Sequence, residues 1–222
     1  YYYAQSTYHF EELPGRPLAY WISTNTINDF QSPVHVDDVS ETRIGMATAD
    51  NDRFMRMWFE IAINKAGLIC SSRQEAEQSN KKWFTYYKGG SFRKWYGNID
   101  YVVNWEHDGF EIRNFIDEKT GRIRSHNYNL DYIFTPGLTF TAISSSNFAC
   151  RTMDNGLFGS GGSGVCRVSN ENRFPLLGFL NSNVAAYLMS CLSQTMNFEV
   201  NMVGSLPYIK DSKHAKVEEI VS

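Results

Sequence analysis

The chain has 222 residues, of which 42% are hydrophobic and 20% charged, with a formal net charge of −3. That length buries a substantial core without metal or disulfide staples, so a single domain over residues 1–222 is the default, and the balance of residues is that of a soluble globular protein. No apolar run approaches the ~20 residues of a membrane helix, and a net negative charge excludes a nonspecific nucleic-acid coat protein, whose affinity needs an overall positive field.

In chain order, Tyr1 to Ser23 reads as an extended lead-in with a turn at Pro14-Gly15, packing Leu18, Tyr20 and Trp21 on the core. Asn51 and Asp52 are expected to cap a helical turn carrying Phe54, Met55 and Trp58. The polar run from Cys70 to Lys82 reads as an exposed connection, Ile99 to Trp105 as a strand, and Leu138 to Ile143 as a strand with one buried face. Asn155 to Gly164, rich in glycine and serine, reads as a loop. Ser182 is a good N-cap for a helix over about 183–192 with Val184, Leu188 and Leu192 on one face; residues 212–222 look like the start of another helix. Together these imply an α+β domain built on a mixed sheet. Cys70, Cys150, Cys166 and Cys191 show no paired spacing, so reduced thiols, no structural zinc and a cytoplasmic setting are expected. The chain opens on Tyr rather than Met and carries no secretory signal, which points to a fragment of something larger.

The most informative stretch is KKWFTYYKGGSFRKWYG, Lys81 to Gly97. No acidic residue stands between Glu77 and Asp100, and Lys88, Arg93 and Lys94 are interleaved with Trp83, Tyr86, Tyr87, Phe92, Trp95 and Tyr96. Rings stack on bases and sugars while lysine and arginine hold phosphates, so the combination suggests nucleic acid. A half-buried hairpin with a solvated lysine face would read the same way. Gly159, Gly161 and Gly164 fit the dinucleotide-binding glycine spacing, yet no helix pattern follows them, and a plain loop is the better reading. Asp108, Glu111 and Arg113 faintly echo a metal-dependent nuclease, with poor spacing. Ser144, Ser145 and Ser146 follow a strand, where short hydroxyls can donate to phosphates or base edges, or simply make a turn.

Several segments, in this order, resemble the C-terminal half of the adenine-specific DNA methyltransferases of the PglX type found in BREX phage-defence systems. They are ELPGRPLAYWIS from Glu12, GMATADNDRFMRMWFEI from Gly45, KKWFTYYKGGSFRKWYGNIDYVVNWEHDG from Lys81, GLTFTAISSSNF from Gly137 and LLGFLNSNVAAYLMSCLSQTMNFEVNMVGSLPYIK from Leu176. The last is also similar to segments in the target recognition domains of type I specificity subunits. The resemblance implies a mixed α+β target recognition domain that docks on double-stranded DNA and selects the site whose adenine is flipped into a catalytic domain. It implies no catalytic residue, metal or cofactor in this chain, because the Asn-Pro-Pro-aromatic tetrapeptide is absent from it. S-adenosylmethionine would bind the parent's methyltransferase domain, and that domain and other phage-defence proteins would be the protein partners. The segment around Asn201 and Met202 lacks the Gly-Asp of the family.

On this reading Lys88, Arg93 and Lys94 hold phosphates, Gly89 and Gly90 let the backbone come close, and Trp95 stacks. Arg53, Arg56 and Ser144 to Ser146 are further candidates for DNA contact. Two rival classes remain: a nuclease using Asp108 and Glu111, and a protein-docking module of the same defence system.

Overall fold

The structure, a computed structural model, describes residues 11–208. The first ten residues of the expected lead-in and the helix expected at 212–222 lie outside them. The described residues form two sheets. Strands β1 (Glu41–Arg43), β6 (Gly137–Phe140), β7 (Cys150–Met153) and β9 (Gly164–Cys166) make an antiparallel sheet in the order β1-β9-β6-β7. Strands β2 (Met55–Met57), β3 (Ala66–Gly67), β4 (Trp83–Tyr87), β5 (Tyr101–Asn104) and β8 (Leu157–Phe158) make a mixed one. Here β2, β5 and β4 run antiparallel, while β3 and β8 pair parallel to the two halves of β4. The fold is thus α+β with a mixed sheet.

The helical segments are α1 (Thr24–Asp29), α2 (Val36–Val39), α3 (Asn51–Phe54), α4 (Arg73–Gln78), α5 (Glu106–Arg113), α6 (Asn170–Leu180), α7 (Asn183–Leu192) and α8 (Val200–Gly204). Helix α7 follows the local code: the Ser182 hydroxyl accepts from the Ala185 N–H at 3.1 Å, and Leu188, Cys191 and Leu192 are buried. Val184 is exposed, contrary to expectation, because it sits in the first turn away from the sheet and toward a surface cleft.

One core packs α1, α6 and α7 on the four-stranded sheet through Ile27, Phe30, Leu138, Phe140, Val165, Leu176 and Leu188. A second gathers Phe54, Phe84, Val103, Trp105, Ile112, Phe134 and Phe158 around the five-stranded sheet. Met153 and Cys166, from β7 and β9, point into this second core. The four-stranded sheet is therefore covered on both faces, which corrects the expected one-sided strand: Thr139 is buried, its hydroxyl donating to the carbonyls of Gly162 and Ser163 at 3.1 Å.

Other local expectations change for equally physical reasons. In the lead-in, Leu13, Ala19 and Ile22 are buried while Leu18, Tyr20 and Trp21 are exposed, since the chain turns at residues 20–21 and enters α1. The turn at 51–54 is capped by Asp50, whose carboxylate accepts from the Arg53 N–H at 3.0 Å, and Trp58 lies exposed beyond it. The run 70–82 contains α4, nucleated by Ser72 accepting from the Glu75 N–H at 3.1 Å and anchored by buried Ala76. The loop expected at 155–164 holds β8, both of whose residues are buried. The four cysteines are unpaired and buried; burial pushes the Cys150 and Cys166 thiols up to about 12.

No single helix among the described residues is long and apolar enough to cross a membrane. Helices α6 and α7 pass that test only as a pair bent by 72°.

Candidate nucleic-acid interface

The basic stretch divides at its glycines. Lys88 leaves the end of β4 half-buried, its ammonium 4.9 Å from the centre of the Tyr101 ring. Gly89 and Gly90 have φ of +88° and +140°. A Cβ at Gly89 would stand 2.2 Å from the Gly161 carbonyl oxygen, and one at Gly162 would stand 2.4 Å from that of Tyr87. The two glycine segments, with Gly89 and Gly161 lying 72 residues apart in sequence, thus touch backbone to backbone and join the five-stranded sheet to the end of β6, where Ala142 N–H donates to Gly161 O at 3.0 Å.

Beyond the glycines the loop is fastened to the other sheet. Trp95, at φ +74°, makes a parallel bridge with Arg151: its N–H donates to Cys150 O and its carbonyl accepts from Thr152 N–H, both at 2.9 Å. Its indole ring remains exposed. The Lys94 ammonium donates to Asn181 O at 2.7 Å, closing the C-terminal end of α6. Arg93 exposes its guanidinium, while its carbonyl accepts from buried Arg151 Nη1 at 3.1 Å. Burial pulls the Arg151 pKa down, and Arg151 Nε has no acceptor.

Arg53 donates from Nε and Nη2 to Glu111 at 3.0 and 2.7 Å and lies over the rings of Phe54 and Phe115. Arg56 lies over Trp83 and donates to the carbonyls of Asp52 and Met55. The serine turn is self-contained at its start, with Ser144 N–H on Met196 O and Ser144 Oγ accepting from Ser146 N–H; Ser145 and Ser146 are exposed.

Three clefts line up along this side. The first, about 460 Å3, is lined by Arg56 and Lys88 with Asn51, Asp52, Glu60 and Tyr101. It shares Asn51 and Lys88 with the second, about 390 Å3, whose other walls include Thr48, Tyr86, Ser160 and Gly161. The second shares Ser160 with the third, about 420 Å3, lined by Ile143, Ser163, Asn197 and Asn201 and leading to the serine turn. Adjoining clefts therefore bring Arg56, Lys88 and the approach to Ser144 together; Arg53 and Lys94 are tied to protein groups, and Arg56 too donates to two backbone carbonyls. Thr48, Ser160 and Asn197, and the cleft-facing position of Asn51, which the sequence offers only as a cap, were not legible because single polar residues carry no periodic or charge signal. A hollow of about 770 Å3 between α1, α6 and α7 is mainly apolar and holds none of the predicted residues.

The carboxylates of the nuclease reading are committed to arginines. Asp108 accepts from Arg73 at 2.6 Å through both oxygens and from Arg113, and Glu111 accepts from Arg53 and from Asn104 Nδ2. Burial pushes the Asp108 carboxyl up, but the Arg73 hydrogen bonds and charge, with Arg113 beside it, hold it below its ordinary value. Among the described residues no group of three or more His, Cys, Asp or Glu converges as metal ligands would.

An α+β domain with a furrow of this kind has close sequence relatives. The chain is 41% identical over 222 residues, 98% of its length, to the adenine-specific methyltransferase PglX of Lacticaseibacillus casei (strain Zhang). It is 33% identical over 208 residues, 91% of its length, to the adenine-specific methyltransferase BrxX of Escherichia coli O9:H4 (strain HS). No protein-family profile matches it. Nearly the whole chain is thus related to the PglX and BrxX adenine-specific methyltransferases, as its motifs suggested, and it spans 18% and 16% of those relatives' lengths.

Proposed function

We propose that this domain is the target recognition region of a PglX-type, site-specific adenine-N6 DNA methyltransferase, of the kind also found in type I specificity subunits, and that it docks on double-stranded DNA along the furrow. The observation that carries the reading is the convergence of Asn51 and Arg56, Lys88, and Ser160 from three separate segments on adjoining clefts. Arg56 and Arg93 serve as phosphate contacts and the polar walls face the bases, a division of labour common to DNA readers. Trp95 and the serines at 144–146 flank the duplex. S-adenosylmethionine and methyl transfer belong to the part of the parent outside this chain. The glycines at 159–162 do not fit a cofactor cradle, since their approach is filled by Tyr87, Lys88 and Gly89. The setting is cytoplasmic, with the parent's catalytic domain and other phage-defence proteins as protein partners.

The test is a segment exchange. Replacing residues 1–222 in the full-length methyltransferase by the matching segment of its 41%-identical relative is expected to transfer the relative's methylation motif, read by methylome sequencing. An unchanged motif sinks the proposal.

A further inference from the structure

The 45–51 segment that walls the central cleft is held far more tightly than an ordinary loop. Met46 N–H donates to Phe158 O and Met46 O accepts from Ser160 N–H, both at 3.0 Å, while Ala47 and His126 exchange backbone hydrogen bonds at 2.8 and 2.9 Å. A Cβ at Gly45 would lie 2.1 Å from Phe158 O, so the two backbones are in direct contact. At the mouth of the cleft Ala49 adopts φ +60°, a conformation that disfavours any side chain and persists where surroundings impose it. Next to it the buried Thr48 hydroxyl donates to Asn51 Oδ1 at 2.6 Å. That bond fixes which way the Asn51 amide faces. Its oxygen is engaged, and its Nδ2 makes no hydrogen bond with the described residues.

The charged donor on this cleft, Lys88 Nζ, is held over the Tyr101 ring and likewise makes no hydrogen bond with the described residues. Two unpaired donors therefore line one cleft whose volume is about 390 Å3. The oriented neutral amide beside the ammonium suits a directional base edge, whereas a phosphate accepts from any donor and would leave that orientation unused. Among base edges in the major groove, guanine offers two acceptors, N7 and O6, whereas adenine pairs one acceptor with a donor and would need the Asn51 oxygen, which the bond from Thr48 holds turned toward itself. We infer that the Thr48–Asn51–Lys88 cleft reads the major-groove edge of one guanine in the recognition sequence, with Asn51 as the specificity-determining residue and Thr48 as the residue that positions it. This inference rests on the DNA-recognition reading above.

The test uses the full-length methyltransferase and duplexes carrying its methylation site, each guanine replaced in turn by 7-deazaguanine, which lacks N7. The wild type is expected to lose about tenfold to a hundredfold in affinity at one position. Asn51→Ala should be insensitive to the same replacement, and Thr48→Val, which frees the amide to turn over, should accept adenine there while still binding guanine. Thermal melts confirm that each variant is folded, and Thr48→Val carries the test should Asn51→Ala fail to fold. A wild type indifferent to every 7-deaza replacement overturns the inference. So does Asn51→Ala that keeps the wild-type pattern, or that loses affinity equally on all sequences as a phosphate contact would. If variants of Arg56 or Ser160 alter base preference while Asn51→Ala does not, the domain reads DNA by other residues. If the segment exchange leaves the motif unchanged, the recognition reading itself has failed.

Discussion

Lys88 and Lys94 belong to one connection between β4 and β5, and its two ends are held in different ways. At Lys88 the glycines pack on the 159–162 segment and the ammonium rests on an aromatic ring at the edge of a cleft, free to meet a ligand. At Lys94 the chain is stitched to β7 by a backbone bridge, and the ammonium is spent on the Asn181 carbonyl that caps α6. Equal charges a few residues apart thus differ in function according to what stands opposite them. A lysine facing a helix C-terminus supports the fold, and one facing a ring and open solvent remains available for binding.

The largest expected effect breaks the glycine contact that separates these two ends. Gly89→Val places a branched side chain at positive φ against the Gly161 carbonyl, where no flexible group can yield. A destabilisation of about 3 kcal/mol or more is expected in a urea melt. Little change in the midpoint would mean the two glycine segments separate readily in solution.

Second in size is the Arg73–Asp108–Arg113 cluster, which binds α4 to α5 on the far side of the five-stranded sheet. Asp108→Asn is expected to cost about 1–3 kcal/mol, because it leaves two arginines without their charged acceptor. The folded Asp108 carboxyl titrates below its ordinary value. Its contribution is therefore fully present above the unfolded value near ~4 and is lost as pH falls through the folded value. The wild type should lose stability in acid more steeply than Asp108→Asn; parallel acid limbs would contradict this account.

Much of the fold was legible where the signal is local. The Ser182 cap and the apolar spacing that follows it specify α7 to the residue, and the composition of Ile99 to Trp105 marks β5. Helix α4 was legible too, since Ser72 and Glu75 stand at capping-box spacing, but the polarity of the run masked it. The furrow was not legible. Its walls depend on the register that sets Gly161 and Gly162 on Tyr87 to Gly89, and a glycine read alone says only that a side chain is absent. Likewise the burial of Thr139 depends on carbonyls 23 and 24 residues away, which no alternation pattern encodes. Lys94 and Arg53 read as free cations because their acceptors, Asn181 and Glu111, lie 87 and 58 residues along the chain.

Lys94→Met tests the stitched end directly. It keeps the stem and removes the donor to Asn181 O, and about 1 kcal/mol of stability should go with it. Its DNA affinity should stay near wild type once the protein is folded. A Lys94→Met protein of full stability and weakened binding would reverse the assignment, putting the ammonium on DNA instead of on α6.

The smallest effect on the fold is expected from the neighbouring residue. Arg93 contributes its carbonyl to Arg151, while its exposed side chain runs past Gly97 and makes no hydrogen bond or ion pair with the described residues, so Arg93→Ala keeps every backbone contact of the loop and should alter stability by less than about 0.5 kcal/mol. If the guanidinium neutralises one phosphate, its loss weakens binding of the full-length methyltransferase by a similar factor on every sequence. It also makes the logarithmic salt slope about 0.9 less steep. Lys94→Met and Arg93→Ala then form a pair with crossed outcomes, one losing stability and keeping its salt slope, the other keeping stability and losing slope. Titrations of both at several salt concentrations read the difference directly. Should Arg93→Ala keep both its affinity and its slope, the stitched half of the loop is wholly structural, and the phosphate contacts must be sought at Arg56 and along the furrow.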